Sequence, residues 1–411
     1  MNRRILLADA DAFFVSVARL VDPDGAGKEP FLIVGGTPDG RGVVTSASYE
    51  TRAFGVCSAM PTARALRLCP QAKVVPVARN ACVKKSKQIL SVLREYTPVV
   101  EPASIDEFYL DMTGTERLYA GEKLRGTAAR IRRHVLDETG LSVSIGGGPS
   151  KVIAKMAAKY AKPRPGRAAT GVYIVPPGKE EVFLRRLSLA DIPMVGPKFQ
   201  ARLAEHGLAQ VVDVLPIPME RLCELFGPRT GTWLFHRVRG EDTGDVSTGY
   251  KRKSLGHEET FARDIEADAE LDRQLVRLAV RVAGDLRLKD LAGRTITVKL
   301  KDFDFTVRSA SQTLTRPICT DRIILRTARK LLGQLRFKRR VKARLLGVTL
   351  SHIVPRGTPQ MDLFASEASG EGIETHRDVA LARSVDHISS RFGRKSIVRG
   401  VQVRSQRQPS N

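Results

Sequence analysis

Three things are scarce in this sequence: long apolar runs, neighbouring cysteines and acidic charge. No stretch is long and uncharged enough to span a membrane, so membrane insertion is not expected. The opening Asn2-Arg3-Arg4-Ile5-Leu6-Leu7 mimics a secretory leader, but Asp9 and Asp11 interrupt its apolar part, which argues against one. The five cysteines, Cys57, Cys69, Cys82, Cys223 and Cys319, are scattered without a close pair. That spacing excludes a disulfide framework and a cysteine-ligated zinc site, and fits a reduced cytoplasm. Asp and Glu number 44 against 68 Lys and Arg, leaving a net charge of +24. Such an excess implies a polyanionic partner, nucleic acid first and an acidic membrane surface a distant second. At 411 residues the chain has room for two to four domains and a sizeable core.

What the sequence does have is carboxylates in places where carboxylates are costly. Asp9 lies in Leu6-Leu7-Ala8-Asp9-Ala10-Asp11-Ala12-Phe13-Phe14, an apolar run that reads as a buried strand. Asp106 and Glu107 lie in a second strand-like stretch, Glu101 to Asp111. An ionised carboxylate in an apolar strand must be paired or hold a metal. Side chains alternate along a strand, so adjacent Asp106 and Glu107 can share a site only near a strand end, and Pro102 and Ser104 supply a turn there. Three oxygen ligands without nearby His or Cys suit Mg²⁺ rather than zinc. Two such ions, ~3.5–4 Å apart, would serve a phosphoryl transfer. On spacing alone, strand-end salt bridges account for the three acids equally well.

Motif order adds more. Asp9-Ala10-Asp11-Ala12-Phe13-Phe14 with Ser104-Ile105-Asp106-Glu107 resembles the catalytic palm of the Y-family DNA polymerases, in particular the DNA polymerase IV (DinB) branch. Tyr49-Glu50-Thr51-Arg52-Ala53-Phe54-Gly55-Val56 resembles that family's triphosphate-gripping fingers segment. Lys151-Val152-Ile153-Ala154-Lys155-Met156-Ala157-Ala158, continuing to Ala161-Lys162-Pro163, resembles its palm helix and lysine loop. The resemblance runs to about Val354. It implies a low-fidelity, translesion-type, template-directed DNA polymerase with an α+β right-hand fold. Asp9, Asp106 and Glu107 would be the catalytic carboxylates, holding two Mg²⁺ ions with help from the Ala10 carbonyl. Phe14 would be the steric gate against a ribose 2′-hydroxyl, with Phe13 an ordinary core aromatic. Tyr49, Arg52 and Lys162 would contact the triphosphate, Arg as a bidentate fork and Lys as a compact charge. Asp11 and Asp111 are given structural roles.

The chain departs from the family pattern in three places. Ser16-Val17-Ala18-Arg19 lacks an acidic residue after the aromatic pair, Gly146-Gly147-Gly148-Pro149-Ser150 lacks an asparagine, and Pro163-Arg164-Pro165-Gly166 lengthens the loop after Lys162. None of these removes a metal ligand; they bear on the geometry of the nucleotide loop.

The expected layout is a palm at 1–18 and 75–165, including a helix at Ala120–Thr139, and small fingers at 19–74. A helical thumb follows at 166–245, a basic linker at 246–253, a little finger at 254–354 and a tail at 355–411. In the thumb, Val195-Gly196-Pro197 precedes a helix ending near His206-Gly207, with Pro at its start and Gly at its end. It resembles a helix–hairpin–helix element whose Gly196 turn would offer backbone N–H groups to a DNA phosphate. A second such turn is expected at Phe226-Gly227-Pro228-Arg229. The little finger reads as βαββαβ: Ser254–Phe261, Ala267–Leu288, Arg294–Leu300, Phe305–Leu314, Asp321–Leu335 and Ala343–His352. Along Thr295-Ile296-Thr297-Val298-Lys299-Leu300-Lys301 the apolar residues take one face, leaving Lys299 and Lys301 to meet the DNA backbone. The densest positive run, Arg336 to Lys342, is also expected on phosphate, through Arg339 and Arg340.

Gln360-Met361-Asp362-Leu363-Phe364 presents apolar anchors in a Pro/Gly-rich linker and resembles the pentapeptide by which bacterial polymerases bind the sliding clamp. Folding back onto the little finger is the alternative. Leu381, Val385, Ile388 and Phe392 form an amphipathic helix stopped at Gly393, which caps the little finger or binds another repair protein; capping is the expected role. The segment after Ser405 is expected to be disordered. The expected partners are primer–template DNA, dNTP and the clamp, for a monomer in the cytoplasm that joins the nucleoid on DNA. Two other readings stay open. One is a non-catalytic relative that binds DNA and clamp; the other is a two-metal nuclease, which would not need triphosphate-gripping motifs.

Overall fold

The computed structural model describes residues 3–119, 121–163, 170–242, 244–249, 251–356 and 374–393, together with 396, 397 and 400. The chain divides into two compact units, residues 1–250 and 251–411.

In the first unit the elements run β1 (Ile5–Ala10), α1 (Phe13–Val21), β2 (Leu32–Gly35), β3 (Val44–Ala47), α2 (Tyr49–Arg52), α3 (Thr62–Leu68), β4 (Lys73–Val75), α4 (Arg79–Arg94), β5 (Val100–Pro102) and β6 (Glu107–Asp111). They continue α5 (Leu124–Thr139), β7 (Val143–Gly148), α6 (Lys151–Ala161), β8 (Val172–Ile174), α7 (Glu180–Leu184), α8 (Pro197–Ala204), α9 (Val211–Val214), α10 (Met219–Phe226) and α11 (Pro228–Val238). The palm is a sheet ordered β5-β6-β1-β7-β8, with β1 at its centre. Because β1 is covered on both faces, its apolar run is continuous rather than alternating. Leu6, Ala8 and Ala10 pack with Ile89 and Leu93 of α4 and Ile131 and Val135 of α5. Ile5 and Leu7 pack on the other side with Ala154 and Ala158 of α6.

Helix α6 lies unusually close to the sheet because Gly146 has no side chain. A Cβ there would fall 2.0 Å from the Ala158 backbone nitrogen and 2.2 Å from the Ala154 carbonyl oxygen. The Ser150 hydroxyl caps α6, accepting from Ile153 N at 3.3 Å and donating to Gly240 O at 2.8 Å. Gly146 and Ser150, in the segment that lacks the family's asparagine, thus seat this helix.

Three boundaries differ from expectation. The helix expected from Ala120 starts at Leu124, since Gly121 takes a left-handed φ of +74° and Lys123 is extended. Strand β8, inside the range expected for the thumb, pairs in parallel with β7 and closes the palm sheet. Val246, expected in the linker, is buried against Ile5, Leu7 and Tyr109. The small fingers sheet is ordered β3-β2-β4. In the thumb, Pro197 opens α8 and Pro228 opens α11 directly after Gly227, as the sequence punctuation requires.

The second unit is a βαββαβ domain: β9 (Ser254–Ile265), α12 (Asp268–Leu288), β10 (Leu291–Asp302), β11 (Val307–Ile318), α13 (Asp321–Lys338) and β12 (Ala343–Pro355). Its antiparallel sheet is ordered β11-β10-β12-β9, and both helices pack on one face. Ile296, Val298 and Leu300 are fully buried there, as the period-2 pattern predicts.

Helix α14 (His376–Phe392) caps this domain, but not through the expected stripe. Its buried positions are Asp378 and Ala382, whereas Leu381 and Phe392 are 61% and 67% exposed. Charge decides the docking face. The Arg287 guanidinium meets Asp386 at 2.6 and 2.8 Å, and Arg322 meets Asp378 at 3.1 Å.

Candidate active site

The register of β1 against β6 sets Asp9 opposite Glu107, and Ala10 N donates to Asp106 O at 2.9 Å. Glu107 is the first residue of β6 and Asp106 closes the preceding turn, so the adjacent acids both sit at the strand end. Asp9, in step with Ile5 and Leu7, lies on the α6 side. There Lys162 Nζ donates to Asp9 Oδ1 at 2.7 Å, and Lys155 Nζ donates to both Glu107 oxygens at 2.9 and 2.7 Å. Asp106 instead accepts from the Ser104 hydroxyl.

Burial pushes the Asp9 carboxyl up to about 6; Lys162 works against this, while the charges of Glu107 and Asp106 add to it. A buried carboxylate facing two others, relieved by lysine ammonium groups, is a site short of positive charge. As the side chains stand, the described residues contain no group of three His, Cys, Asp or Glu that could hold a metal. The donor chemistry nevertheless fits a hard divalent cation, and the ammonium groups stand in for one.

The nucleotide-gripping candidates gather at the same end of β1. Tyr49 opens α2, whose N-cap is Ser48. Its hydroxyl is buried beside the Asp11 carboxylate, and burial plus the Asp11 charge raise its pKa. Arg52 is exposed, anchored by Nε to Ala47 O at 2.9 Å, with its guanidinium 5.0 Å from the Tyr49 ring centroid.

Phe13 is buried and Phe14 half-buried, their rings edge to face at 5.4 Å. Between strand and helix, Ala12 is left-handed at φ 44°. Asp11 fixes that turn, accepting from Ser142 and Ser144 hydroxyls at 2.8 Å each, which bears out its structural role. Asp111 likewise accepts from Thr113 N at 2.9 Å within its own turn.

Comparison with known proteins identifies the family. The impB/mucB/samB family matches residues 8–159, its C-terminal domain residues 252–363, and the DNA polymerase-iota thumb domain residues 190–242. DNA polymerase IV of Desulfatibacillum aliphaticivorans is 36% identical over 95% of this chain and 94% of its own. DNA polymerase IV of Alkalilimnicola ehrlichii is 37% identical over 88% and 99%. The chain belongs to the Y-family DNA polymerases, in the DNA polymerase IV branch.

Solved structures agree. A Y-family polymerase chimera matches with a TM-score of 0.74 and 25% identity, covering 86% of this chain and 99% of that one. DinB from Sulfolobus solfataricus matches with a TM-score of 0.58 and 26% identity over 85% and 98%. The family's palm, thumb and little finger are therefore all present.

The DNA-contact candidates fare unevenly. Gly196 is the extended N-cap of α8, with open space around its Cα. Lys299 bonds Glu258 at 2.8 Å, and Lys301 lies 4.7 Å from the Phe305 ring. Arg339 was expected on phosphate and is instead paired within its domain, meeting Asp302 at 2.9 Å and Asp304 at 2.7 Å. Asp302 is fully buried and is held by Arg308 at 2.8 and 2.9 Å as well. Arg336 is also buried, bonded to Asp268 and the Glu266 carbonyl, and Arg340 meets Asp268 at 2.9 Å while staying 74% exposed. Most of this run neutralises its own domain. The pentapeptide Gln360 to Phe364 lies outside the described residues. Lys155 is the site residue the sequence reading missed, although its seven-residue spacing from Lys162 places both on one helix face.

Proposed function

We propose that this chain is a translesion-type, low-fidelity DNA-directed DNA polymerase that extends a primer 3′-hydroxyl with dNTPs. The observation that carries the site assignment is the meeting of Asp9, Asp106 and Glu107 at one strand end, with Lys162 on Asp9 and the buried Tyr49 hydroxyl nearby. Asp9, Asp106, Glu107 and the Ala10 carbonyl would hold two Mg²⁺ ions. When bound, the ions activate the attacking hydroxyl and neutralise charge on the α-phosphate and the departing pyrophosphate. Tyr49, Arg52 and Lys162 hold the triphosphate, and the half-buried Phe14 ring lies beneath the sugar. Positioning and charge stabilisation supply the catalysis. Primer extension on an undamaged template with Mg²⁺ and dNTPs tests this directly. Absence of extension with DNA and clamp binding intact would point to a non-catalytic relative.

Phosphate contact through the Gly196 turn, Lys299, Lys301 and Arg340 orients the protein on DNA without reading sequence. Binding is expected to weaken by ~10³–10⁵ between ~50 and ~200 mM salt if roughly 6–10 phosphates are contacted. A flat salt dependence in anisotropy titrations would refute that contact. Phe14→Ala is expected to admit ribonucleotides; an unchanged dNTP over NTP preference would place the gate elsewhere. Gln360 to Phe364 recruits the protein to the sliding clamp. Among the described residues no helix is long and apolar enough to cross a membrane. The protein works as a cytoplasmic monomer that joins the nucleoid on DNA.

A further inference from the structure

Helix α6 and the residue that ends it carry two ammonium groups into the carboxylate cluster. Lys155 and Lys162 are seven residues apart, two helical turns, and therefore share a face. Their targets differ: Glu107 receives both of its bonds from Lys155, while Asp9 receives Lys162 on one oxygen. The lysine side chains are 38% and 25% exposed, so either can leave for water or another anion without being stranded among apolar groups. An ammonium 2.7 Å from a carboxylate oxygen repels a divalent ion approaching the same carboxylate and ties up part of its lone-pair capacity.

We propose that Lys155 and Lys162 are displaceable counter-cations that compete with divalent metal for Glu107 and Asp9, and that Lys162 hands Asp9 over when a nucleotide arrives. The handover rests on the polymerase reading above, in which Lys162 contacts the triphosphate. Nucleotide binding then removes a competitor from Asp9, and by reciprocity the metal strengthens nucleotide binding. Lys155, bonded to both Glu107 oxygens, is a positioning residue that aims Glu107 and holds its metal affinity down. The fold makes this possible because Gly146 lets α6 approach the sheet closely enough for both lysines to reach.

The test is Mn²⁺ binding, followed by the paramagnetic resonance of the free ion. The sample is the full chain on a primer–template with a dideoxy 3′ end, without nucleotide. Lys155→Met and Lys162→Met are each expected to tighten Mn²⁺ about tenfold or more, the scale of a lost charge-assisted hydrogen bond. Lys155→Arg is expected to stay near wild type. Lys151→Met serves as the control: Lys151 sits one turn earlier on α6 and pairs with Glu101 at 2.7 Å, outside the cluster. No tightening in either variant overturns the proposal. Equal tightening in Lys151→Met does the same, because it marks a general charge effect. Lys155→Gln replaces the methionine variant if thermal melting shows that the latter is unfolded.

A second reading comes from nucleotide affinity in saturating Ca²⁺, expected to fall for Lys162→Met and to hold for Lys155→Met. Unchanged affinity in Lys162→Met overturns the handover. Primer extension by the wild type is scored separately, so failure of the polymerase reading stays distinguishable from failure of the competition.

Discussion

Asp106→Ala is expected to lower nucleotide incorporation by ~10³-fold or more, the scale of losing a central charge-stabilising group. Of the three carboxylates it is the cleanest to remove. The turn that carries it is held by its backbone carbonyl, which accepts from Ala10 N whatever the side chain. Its carboxylate is bonded to the Ser104 hydroxyl and lies near the surface, so truncation strands no buried cation. Asp9→Ala would release Lys162, and Glu107→Ala would release Lys155, so loss of activity in either would mix chemistry with rearranged charge. Single-turnover extension beside DNA-binding anisotropy separates the two effects. Near-wild-type extension by the variant would remove Asp106 from the catalytic set.

Arg287→Ala is expected to cost the little finger about 3–5 kcal/mol, as breaking a buried ion pair does. The Arg287 side chain is 4% exposed and bonds Cys319 O and Asp321, both at 2.9 Å, besides Asp386. Burial works against its charge, but the Asp386 and Asp321 carboxylates more than compensate and raise its pKa, so it stays ionised. Truncation takes the Arg287 charge away from Asp321 and from Asp386, its bidentate tie on α14. Hydrogen exchange provides the specific measurement: amides of 376–392 should lose protection to a greater extent than those of β10 and β12. Unchanged protection in α14 would mean the helix is held by something other than these charges.

The parts that could be read from the sequence are those where a single physical rule dominates. Carboxylates in apolar strands announced Asp9 and the Asp106–Glu107 pair, and period-2 alternation announced β10 and its buried face. Proline and glycine punctuation placed both thumb turns. Other features depend on partners distant in sequence. Three residues, Val172–Ile174, cannot announce a parallel pairing with β7, and nothing about Ala12 signals a left-handed turn fixed by Ser142 and Ser144. Net charge shows that arginines need anions but not which ones, so Arg339 was expected on phosphate and is found on Asp302 and Asp304. The same blindness misassigned the docking face of α14, where Arg287 and Arg322 outweigh Leu381 and Phe392.

A helix docked by charge answers to ionic strength as well as to temperature. Besides the Arg287–Asp386 and Arg322–Asp378 pairs, Glu374 just ahead of α14 accepts from Cys319 N at 2.7 Å and from Thr320 N. The Arg322 side chain is 59% exposed, so its pair with Asp378 is screened as salt rises, whereas Arg287, 4% exposed, keeps its partners. The hold on α14 is therefore graded: salt loosens its first turn before its middle lets go.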